Sequence, residues 1–414
     1  MARNWPDPRR KDVGQLVMQL IGTPLERFKE LELGDESRFD AMVHALNQPM
    51  SPVTCQVLMN FGCNQHCVHC FLGQTHARGT ASIDEIVSTT NVLLSRGYNI
   101  YAYPTEPLMN PASFSTYTRF HDPDGGFITN GTAPLAANPG KLVTTLKAHG
   151  VRNVYISLHG ATEATHEALT RVAGSFKRAM ATIETLGEAS YQGEISVSLE
   201  STIHGENVAE IEGIVDIAAQ HRIRHVFLLR LVPIPHAHIP QGMLMNRQAL
   251  IDALSATRKA RKKHEGEVYV EFGPTWGPNF NSRRIWDFLA LNVRMGNVRH
   301  CCFAVGRWIA VDPATRLLYP CMACSAVPEL VVGELVPETG EFIYNDLGRQ
   351  LLQWHADWAE KARGACSPSE CPYSIICHGG CRATALAEAF VNDNRPDWFA
   401  PFPHCQTQLS NELW

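Results

Sequence analysis

The stretch Val57-Leu-Met-Asn-Phe-Gly-Cys63-Asn-Gln-His-Cys67-Val-His-Cys70 decides how the chain is interpreted. Its first residues, Val57 to Asn60, suit a strand that ends just before the cysteines. Three thiolates on one short loop can hold three irons of a four-iron cube and leave the fourth iron open. A catalytic metal site needs such an open coordination position. The triplet therefore predicts a catalytic iron–sulfur centre, with a zinc site as the alternative.

Composition narrows the class of protein. The chain has 414 residues, of which 13 are cysteine, and a formal net charge of −5. Apolar residues make up 45%, which is ordinary for a globular protein and excludes wholesale disorder. The sequence contains neither a long apolar run nor a secretory signal, and its acidic balance disfavours nucleic acid. We expect a cytoplasmic protein of two or three units whose clustered cysteines bind metal rather than form disulfides.

Residues 55 to about 275 alternate strand-like and helix-like segments, which indicates βα units around a parallel sheet. Ser82 and Glu85 form a capping box that begins one helix, and Gly97 can end it. Parallel barrels carry their chemistry on the loops after the strands, so we expect the site there. The predicted strands are 55–60, 99–104, 126–130, 152–158, 195–202 and 225–232.

The C-x3-C-x2-C spacing after a strand, together with the βα units, resembles the radical S-adenosylmethionine (SAM) enzymes. The resemblance implies an α/β fold with a partial (β/α)6 barrel. It also implies that Cys63, Cys67 and Cys70 hold a [4Fe–4S] cluster whose open iron binds SAM. In that family, electron transfer cleaves SAM to methionine and a 5′-deoxyadenosyl radical, and the electron comes from a donor such as flavodoxin or ferredoxin.

Two stretches of the chain match SAM-binding motifs of the family in part. His69 loosely fits the aromatic residue that usually precedes the last cysteine. Glu106 and Pro107 match the end of the G-G-E-P motif, but Pro104 and Thr105 replace its two glycines. The resemblance implies that Glu106 contacts the SAM amino group, whereas a proline-rich turn with a solvated glutamate is the alternative.

Later strands add further candidates. Asn130 lies in a Thr-Asn-Gly sequence similar to the family's T-N-G, and Ser157 begins a stretch that resembles S-x-D-G, with His159 in place of the aspartate. The resemblance implies a ribose contact from Asn207, for which a helix N-cap is a compatible role. Arg230 could bind a carboxylate or phosphate, or form a salt bridge at the barrel rim. The cofactor-binding candidates are His69, Glu106, Pro107, Asn130, Ser157, Asn207 and Arg230.

The cysteines after residue 300 form a second pattern. Their spacing from Cys366 to Cys381, followed by Cys405, resembles the family's SPASM extension with a first gap two residues longer. A predicted β-hairpin at 308–319 precedes Cys321, and Arg316 stands where the family hairpin often has glycine.

Two fully ligated auxiliary clusters need eight thiolates. The resemblance implies that Cys302, Cys321 and Cys381 bind one of them, with Cys301 or Cys324 as the fourth ligand. It implies a second cluster on Cys366, Cys371, Cys377 and Cys405. A zinc ribbon at 366–381 is the alternative for this segment. We divide the chain into an N-terminal helical arm at 1–50, the barrel at 51–280 and a cysteine-rich α+β SPASM-like domain at 281–414.

The substrate prediction is a polar small molecule, an aminoglycoside or another sugar, as in SPASM-type diol dehydratases and epimerases of antibiotic biosynthesis. Glu200 and His159 are the catalytic candidates in the barrel. Cys301 or Cys324, whichever is not a ligand, is a candidate hydrogen donor for an epimerase, and a reductase partner could finish a dehydration. One alternative is a peptide or protein maturase that forms crosslinks or formylglycine. Another is a non-catalytic iron–sulfur or zinc protein.

Overall fold

The computed structural model describes residues 54–72, 80–122, 126–233, 239–276, 308–367, 369–371, 374–393, 397–405 and 409. They fall into two compact units. We call residues 52–275 and 308–348 the barrel unit, and the part from residue 349 onward the C-terminal unit. The predicted domain boundaries stay a prediction, because 1–53 and 277–307 lie outside the described residues. None of the described helices is long and apolar enough to cross a membrane.

The strands of the described chain all lie in the barrel unit. They are β1 (Thr54–Met59), β2 (Asn99–Pro104), β3 (Gly126–Thr129), β4 (Asn153–Ser157), β5 (Ser196–Ile203), β6 (His225–Arg230), β7 (Tyr269–Phe272), β8 (Trp308–Val311), β9 (Leu317–Tyr319), β10 (Gly333–Leu335) and β11 (Phe342–Tyr344). The helices are α1 (Ile83–Ser95), α2 (Pro111–Phe120), α3 (Pro139–Ala148), α4 (Glu163–Thr170), α5 (Ser175–Tyr191), α6 (Ile211–Gln220), α7 (Arg247–Lys263), α8 (Asp346–Lys361), α9 (Ser374–Cys377) and α10 (Arg382–Asp393).

The first seven strands form the parallel part of the fold. β1 pairs with β2, and β3 to β7 form a second sheet in sequence order, with every one of these pairs parallel. Helices follow the strands, which confirms the predicted α/β class with βα units. Strand β7 is an addition to this parallel part, for which the sequence predicted the six strands β1 to β6. Since successive side chains on a strand alternate in direction, the pairing register decides which polar residues reach the cavity.

Local signals explain where α1 begins and ends. The Ser82 N–H donates to Glu85 Oε2 at 2.7 Å, and the Glu85 N–H donates to Ser82 Oγ at 3.2 Å. This reciprocal pair satisfies two amides that the helix itself leaves without acceptors. Gly97 then takes a positive φ of 83°, which glycine adopts readily. The predicted capping box is confirmed.

A hairpin extends the sheet of β1 on the side opposite β2. Strand β8 pairs in parallel with β1 and antiparallel with β9. In the turn between β8 and β9, the Arg316 N–H donates to the Asp312 main-chain oxygen at 2.7 Å. Arg316 has a φ of 65°, a left-handed conformation that costs free energy for residues other than glycine. This conformation explains why glycine would suit the position.

The C-terminal unit is held together by aromatic side chains and one buried cation. Trp358 is fully buried and donates from Nε1 to Ser374 Oγ at 2.8 Å, and Ser374 Oγ donates to the Cys366 main-chain oxygen at 2.5 Å. The guanidinium of Arg382 donates to the main-chain oxygens of Trp398 and Ala400 at 3.0 and 2.8 Å. These bonds fix the segments that carry the C-terminal cysteines.

Candidate active site

A cavity of about 350 Å³ lies where the loops follow the parallel strands, the position that carries chemistry in parallel barrels. Its volume falls within the range of small-molecule sites. Sequence analysis did not single out Gln65, which also lines it. The predicted site residues that line the cavity are Cys63, Cys67, Cys70, His69, Glu106, Asn130, Ser157, His159, Glu200 and Arg230.

The Thr105 hydroxyl fixes the start of the cysteine loop. It accepts the Phe61 N–H at 3.0 Å and donates to the Gly62 main-chain oxygen at 2.7 Å. The Thr105 N–H also donates to the Met59 main-chain oxygen at 3.1 Å. Thr105 stands where the related motif has glycine, and here its side chain ties the loop after β2 to the loop after β1.

The second half of the cysteine loop is attached to the end of α4. The His66 N–H donates to the Thr170 main-chain oxygen at 3.1 Å, and the Val68 N–H donates to the Leu169 main-chain oxygen at 3.0 Å. Because α4 ends at Thr170, these carbonyls have no partner within the helix. The loop uses them, so both of its ends are anchored by main-chain bonds.

The sulfur atoms suit a polynuclear iron centre. Cys63 Sγ accepts the Gln65 N–H at 3.4 Å and lies 3.7 Å from the donor Asn130 Nδ2. Burial raises the pKa of Cys63 to about 12, and burial together with repulsion from Cys70 and Cys63 raises the pKa of Cys67 well above its ordinary value. Three thiolates here need bound cations to offset their charge. Soft sulfur ligands with amide donors around them fit an iron–sulfur cluster.

Glu106 organises the turn after β3. Its Oε1 accepts the Thr129 hydroxyl at 2.8 Å and the Leu108 N–H at 3.0 Å, and its Oε2 accepts the Asn130 N–H at 2.7 Å. Burial raises the pKa of Glu106 to about 7, although these hydrogen bonds act in the opposite direction. Glu106 is buried, so a solvated glutamate does not describe it. Pro107 is also buried but does not line the cavity.

Glu200 on β5 contributes a carboxyl group to the cavity wall. It is paired in register with Ser157 on β4. No hydrogen bond or ion pair joins its carboxyl group to a residue of the described ranges. Burial raises the pKa of Glu200 to about 7. An ionisable group of this kind in a cavity is a candidate for proton transfer or cation binding.

Four histidines cluster behind the cysteine loop: His69, His159, His166 and His204. The ring centroids of His69 and His159 lie 4.9 Å apart, and those of His159 and His166 lie 5.8 Å apart. Burial lowers the pKa of His69, His166 and His204 to about 4 and that of His159 well below its ordinary value. Sequence analysis missed His166 and His204, because their positions on α4 and after β5 carry no local signal.

Asn207 differs from its predicted helix-capping role. Its side chain makes no capping bond to the helical turn that follows. Instead, Nδ2 donates to the main-chain oxygens of His159 and Thr202 at 2.9 and 2.8 Å, and Oδ1 accepts the His204 N–H at 2.7 Å. Asn207 is fully buried and does not line the cavity. Asn207 therefore stands at the predicted N-cap position without a side-chain capping bond, because these main-chain groups occupy its amide. The ribose contact stays a prediction.

Arg230 is the last residue of β6, and 2% of it is exposed. Its N–H donates to the Thr275 hydroxyl at 2.8 Å, and its side chain lines the cavity. A guanidinium in this position can recognise a carboxylate.

The auxiliary cysteines lie in both units. In the barrel unit, the Sγ atoms of Cys321 and Cys324 are 3.7 Å apart. In the C-terminal unit, Cys366 Sγ accepts the Phe402 N–H at 3.2 Å. Burial, together with repulsion from Cys377, raises the pKa of Cys366. Cys301 and Cys302 lie outside the described residues. None of the eleven cysteines within the described ranges forms a disulfide.

Comparison with known proteins shows what part of the chain is similar to. A sequence model of the radical SAM superfamily matches residues 57–218. The "AdoMet-dependent heme synthase" of Methanosarcina barkeri is 30% identical over 41% of this chain and 48% of its own length. The "PqqA peptide cyclase" of Rhizobium meliloti is 20% identical over 63% of this chain and 62% of its own length. The chain thus spans about half to three fifths of these curated relatives.

A solved structure shows the same fold. Streptococcus suis SuiB, crystallised with its precursor peptide SuiA, superposes with a TM-score of 0.60 and is 14% identical. The superposition covers 90% of this chain and 80% of SuiB. The predicted barrel architecture with a SPASM-like C-terminal part is confirmed.

Proposed function

Because residues 57–218 form a radical SAM domain, we propose that the chain is an enzyme that cleaves SAM reductively and abstracts hydrogen from a peptide. A [4Fe–4S] cluster and SAM are the cofactors of such a domain, and when bound they supply a 5′-deoxyadenosyl radical. The observation that carries the proposal is that Cys63, Cys67 and Cys70 share one cavity with Asn130 and Arg230.

The chain's own residues have distinct roles in this proposal. Cys63, Cys67 and Cys70 hold the cluster, and the amide of Asn130 donates toward the Cys63 sulfur. Arg230 binds the SAM carboxylate, since its fork matches that group. Glu200 accepts a proton or an ammonium group of the substrate. The apolar walls around these groups exclude water from the reactive radical.

The substrate class is supported by the relatives. The names of two of them, PqqA peptide cyclase and SuiB with its precursor peptide, indicate peptide substrates. None of the three relatives described above is named for a sugar or an aminoglycoside. We therefore propose a peptide as the substrate. The predicted sugar or aminoglycoside is kept as the competing substrate in the experiment described below.

We also propose two auxiliary clusters. Cys321 and Cys324 lie close enough to serve one metal centre, so Cys324 is the preferred fourth ligand over Cys301. Cys366 and Cys377 serve a second centre with Cys371 and Cys405. We place the reaction in the cytoplasm, where a flavodoxin or ferredoxin can deliver electrons and thiolate ligands stay reduced.

The test is anaerobic reconstitution of the full chain with iron and sulfide, followed by dithionite and SAM. We expect about twelve irons per chain, from three four-iron clusters, and release of 5′-deoxyadenosine. Candidate precursor peptides and a panel of aminoglycosides are then compared. A peptide that loses mass in step with 5′-deoxyadenosine release supports the proposal. Turnover of an aminoglycoside instead would overturn the peptide assignment, and zinc without 5′-deoxyadenosine would overturn the enzyme assignment.

A further inference from the structure

His159, two residues beyond the end of β4, has three of its four polar groups fixed by the surrounding chain. Its N–H donates to His166 Nδ1 at 3.1 Å. Its main-chain oxygen accepts from Asn207 Nδ2 at 2.9 Å, and its Nδ1 accepts the Thr202 N–H at 3.1 Å. Only Nε2 has no hydrogen bond to a described residue, and the ring lines the cavity.

The bond from Thr202 decides which nitrogen carries the proton. A main-chain N–H can only donate, so Nδ1 of His159 must be the acceptor and Nε2 must carry the hydrogen. A second proton on Nδ1 would point directly at the Thr202 N–H. Burial and the nearby rings of His69, His166 and His204 also hold the pKa of His159 well below its ordinary value. The imidazole is therefore a neutral donor.

The neighbouring rings keep the donor in place. His69 contacts the ring of His159 edge-on, and His166 stacks on it. His166 is itself oriented by the His159 N–H, because that bond requires its Nδ1 to face the chain. A side chain with 4% exposure and contacts on both sides does not rotate freely, so the direction of Nε2–H is set before a ligand binds.

We propose that His159 is a specificity-determining residue that donates from Nε2–H to an acceptor oxygen or nitrogen of the molecule filling the cavity. The related motif has an aspartate here, which accepts hydrogen bonds. The histidine instead donates one, so it selects a ligand atom that is an acceptor. The acceptor belongs either to SAM or to a carbonyl or carboxylate of the substrate. This inference rests on the proposed function, since it uses the same cavity.

Three substitutions distinguish the donor from its surroundings. The amide nitrogen of a glutamine reaches the place of Nε2, whereas that of an asparagine reaches only the place of Nδ1. We expect the affinity of His159→Gln for the bound molecule to stay within about threefold of the wild type. The affinity of His159→Asn and of His159→Ala should fall about tenfold, as for one lost hydrogen bond. Thermal unfolding of each variant shows whether the fold is kept.

The measured quantities are the Kd for SAM of the cluster-loaded chain without reductant, and the KM for substrate. If the SAM Kd rises in His159→Asn and His159→Ala but not in His159→Gln, the acceptor belongs to SAM. If only the substrate KM rises in His159→Asn and His159→Ala, and it does not rise in His159→Gln, the acceptor belongs to the substrate. If glutamine and asparagine behave alike, or neither quantity changes, the inference is overturned. A wild-type chain that binds SAM but never cleaves it would overturn the proposed function and leave the Kd comparison valid.

Discussion

The side-chain amide of Asn207 donates to the main-chain oxygen of His159 at 2.9 Å, and its second hydrogen goes to Thr202 at 2.8 Å. One buried amide thus holds together the loop after β4 and the end of β5. It leaves His159 in the position where its ring meets the cavity. Replacing the donor by an acceptor of the same shape should break this link.

We predict that Asn207→Asp destabilises the chain by about 2–4 kcal/mol, because a buried carboxylate would face two main-chain oxygens. Thermal unfolding under anaerobic conditions measures the effect. Asn246→Asp is the matched control. Asn246 is exposed and caps α7 by accepting the Ala249 N–H at 2.8 Å, a position where aspartate serves as well as asparagine. Equal stability of the two variants would show that the Asn207 bonds contribute little.

Glu200 should make stability depend on pH. Its folded pKa of about 7 lies above its ordinary value of 4.5, so the folded chain binds the proton more tightly than the unfolded chain. The stability that Glu200 contributes to the ligand-free chain should therefore fall as pH rises from about 4.5 to about 7, by up to about 3 kcal/mol. The phenols of Tyr101, Tyr103 and Tyr155 face this carboxyl group, and burial keeps them neutral in this window by raising their pKa.

The variant Glu200→Gln should lack that contribution and be more stable than the wild type near pH 8. Glu106, whose pKa burial also raises to about 7, and the buried histidines act in both chains, so the difference between the two curves isolates Glu200. Unfolding midpoints of both chains across this pH range check the sign. Glu184→Gln, on the exposed side of α5, controls for the loss of one carboxylate. Parallel curves for wild type and Glu200→Gln would mean that Glu200 ionises without cost in the cavity.

The cysteines should separate into two functional groups. Replacing Cys63, Cys67 or Cys70 by alanine should abolish 5′-deoxyadenosine release, because the open iron site is lost. Replacing Cys377 should lower the iron content while some SAM cleavage remains. Cys55→Ala is the control, since this thiol is fully buried on β1 and does not line the cavity. Iron analysis and chromatography of the nucleoside product are the measurements, and unchanged release from a triplet variant would contradict the assignment.

The hairpin offers a gain of stability. Arg316 adopts a φ of 65°, so Arg316→Gly should stabilise the chain by about 0.5–1 kcal/mol through relief of left-handed strain. Arg316→Ala removes the same side chain but keeps the strain, so it should not gain stability. Unfolding curves of the two variants isolate the backbone effect, and an equal change in both would assign it to the lost side chain.

The features that were predicted from the sequence depend on residues close together in the chain. The capping box of Ser82 and Glu85 and the polar groups after each strand required only neighbouring residues. The cysteine triplet and the turn at Asn130 were likewise identified from short motifs, and the structure brings both to one cavity.

Contacts between distant segments were not predicted. The bond from Asn207 to His159 depends on how β4 and β5 are aligned, which neither segment specifies alone. Strand β7 is only four residues long and gives a weak periodic signal. The parallel pairing of β8 with β1 joins Thr54 to Trp308, which are far apart in the sequence, and no local pattern encodes a partner at that separation.

That pairing also sets an order of assembly. Strand β1 leads directly into the cysteine loop, and its second edge stays bare until β8 has left the ribosome, after the whole barrel. The β8–β9 hairpin then brings the Met322 N–H to the Gln56 side-chain oxygen of β1 at 2.9 Å. A nascent chain that stops short of Trp308 would expose an open strand edge to other chains, the kind of surface that promotes aggregation. The strand that leads into the cysteine loop is therefore paired on both sides only after synthesis has passed β8.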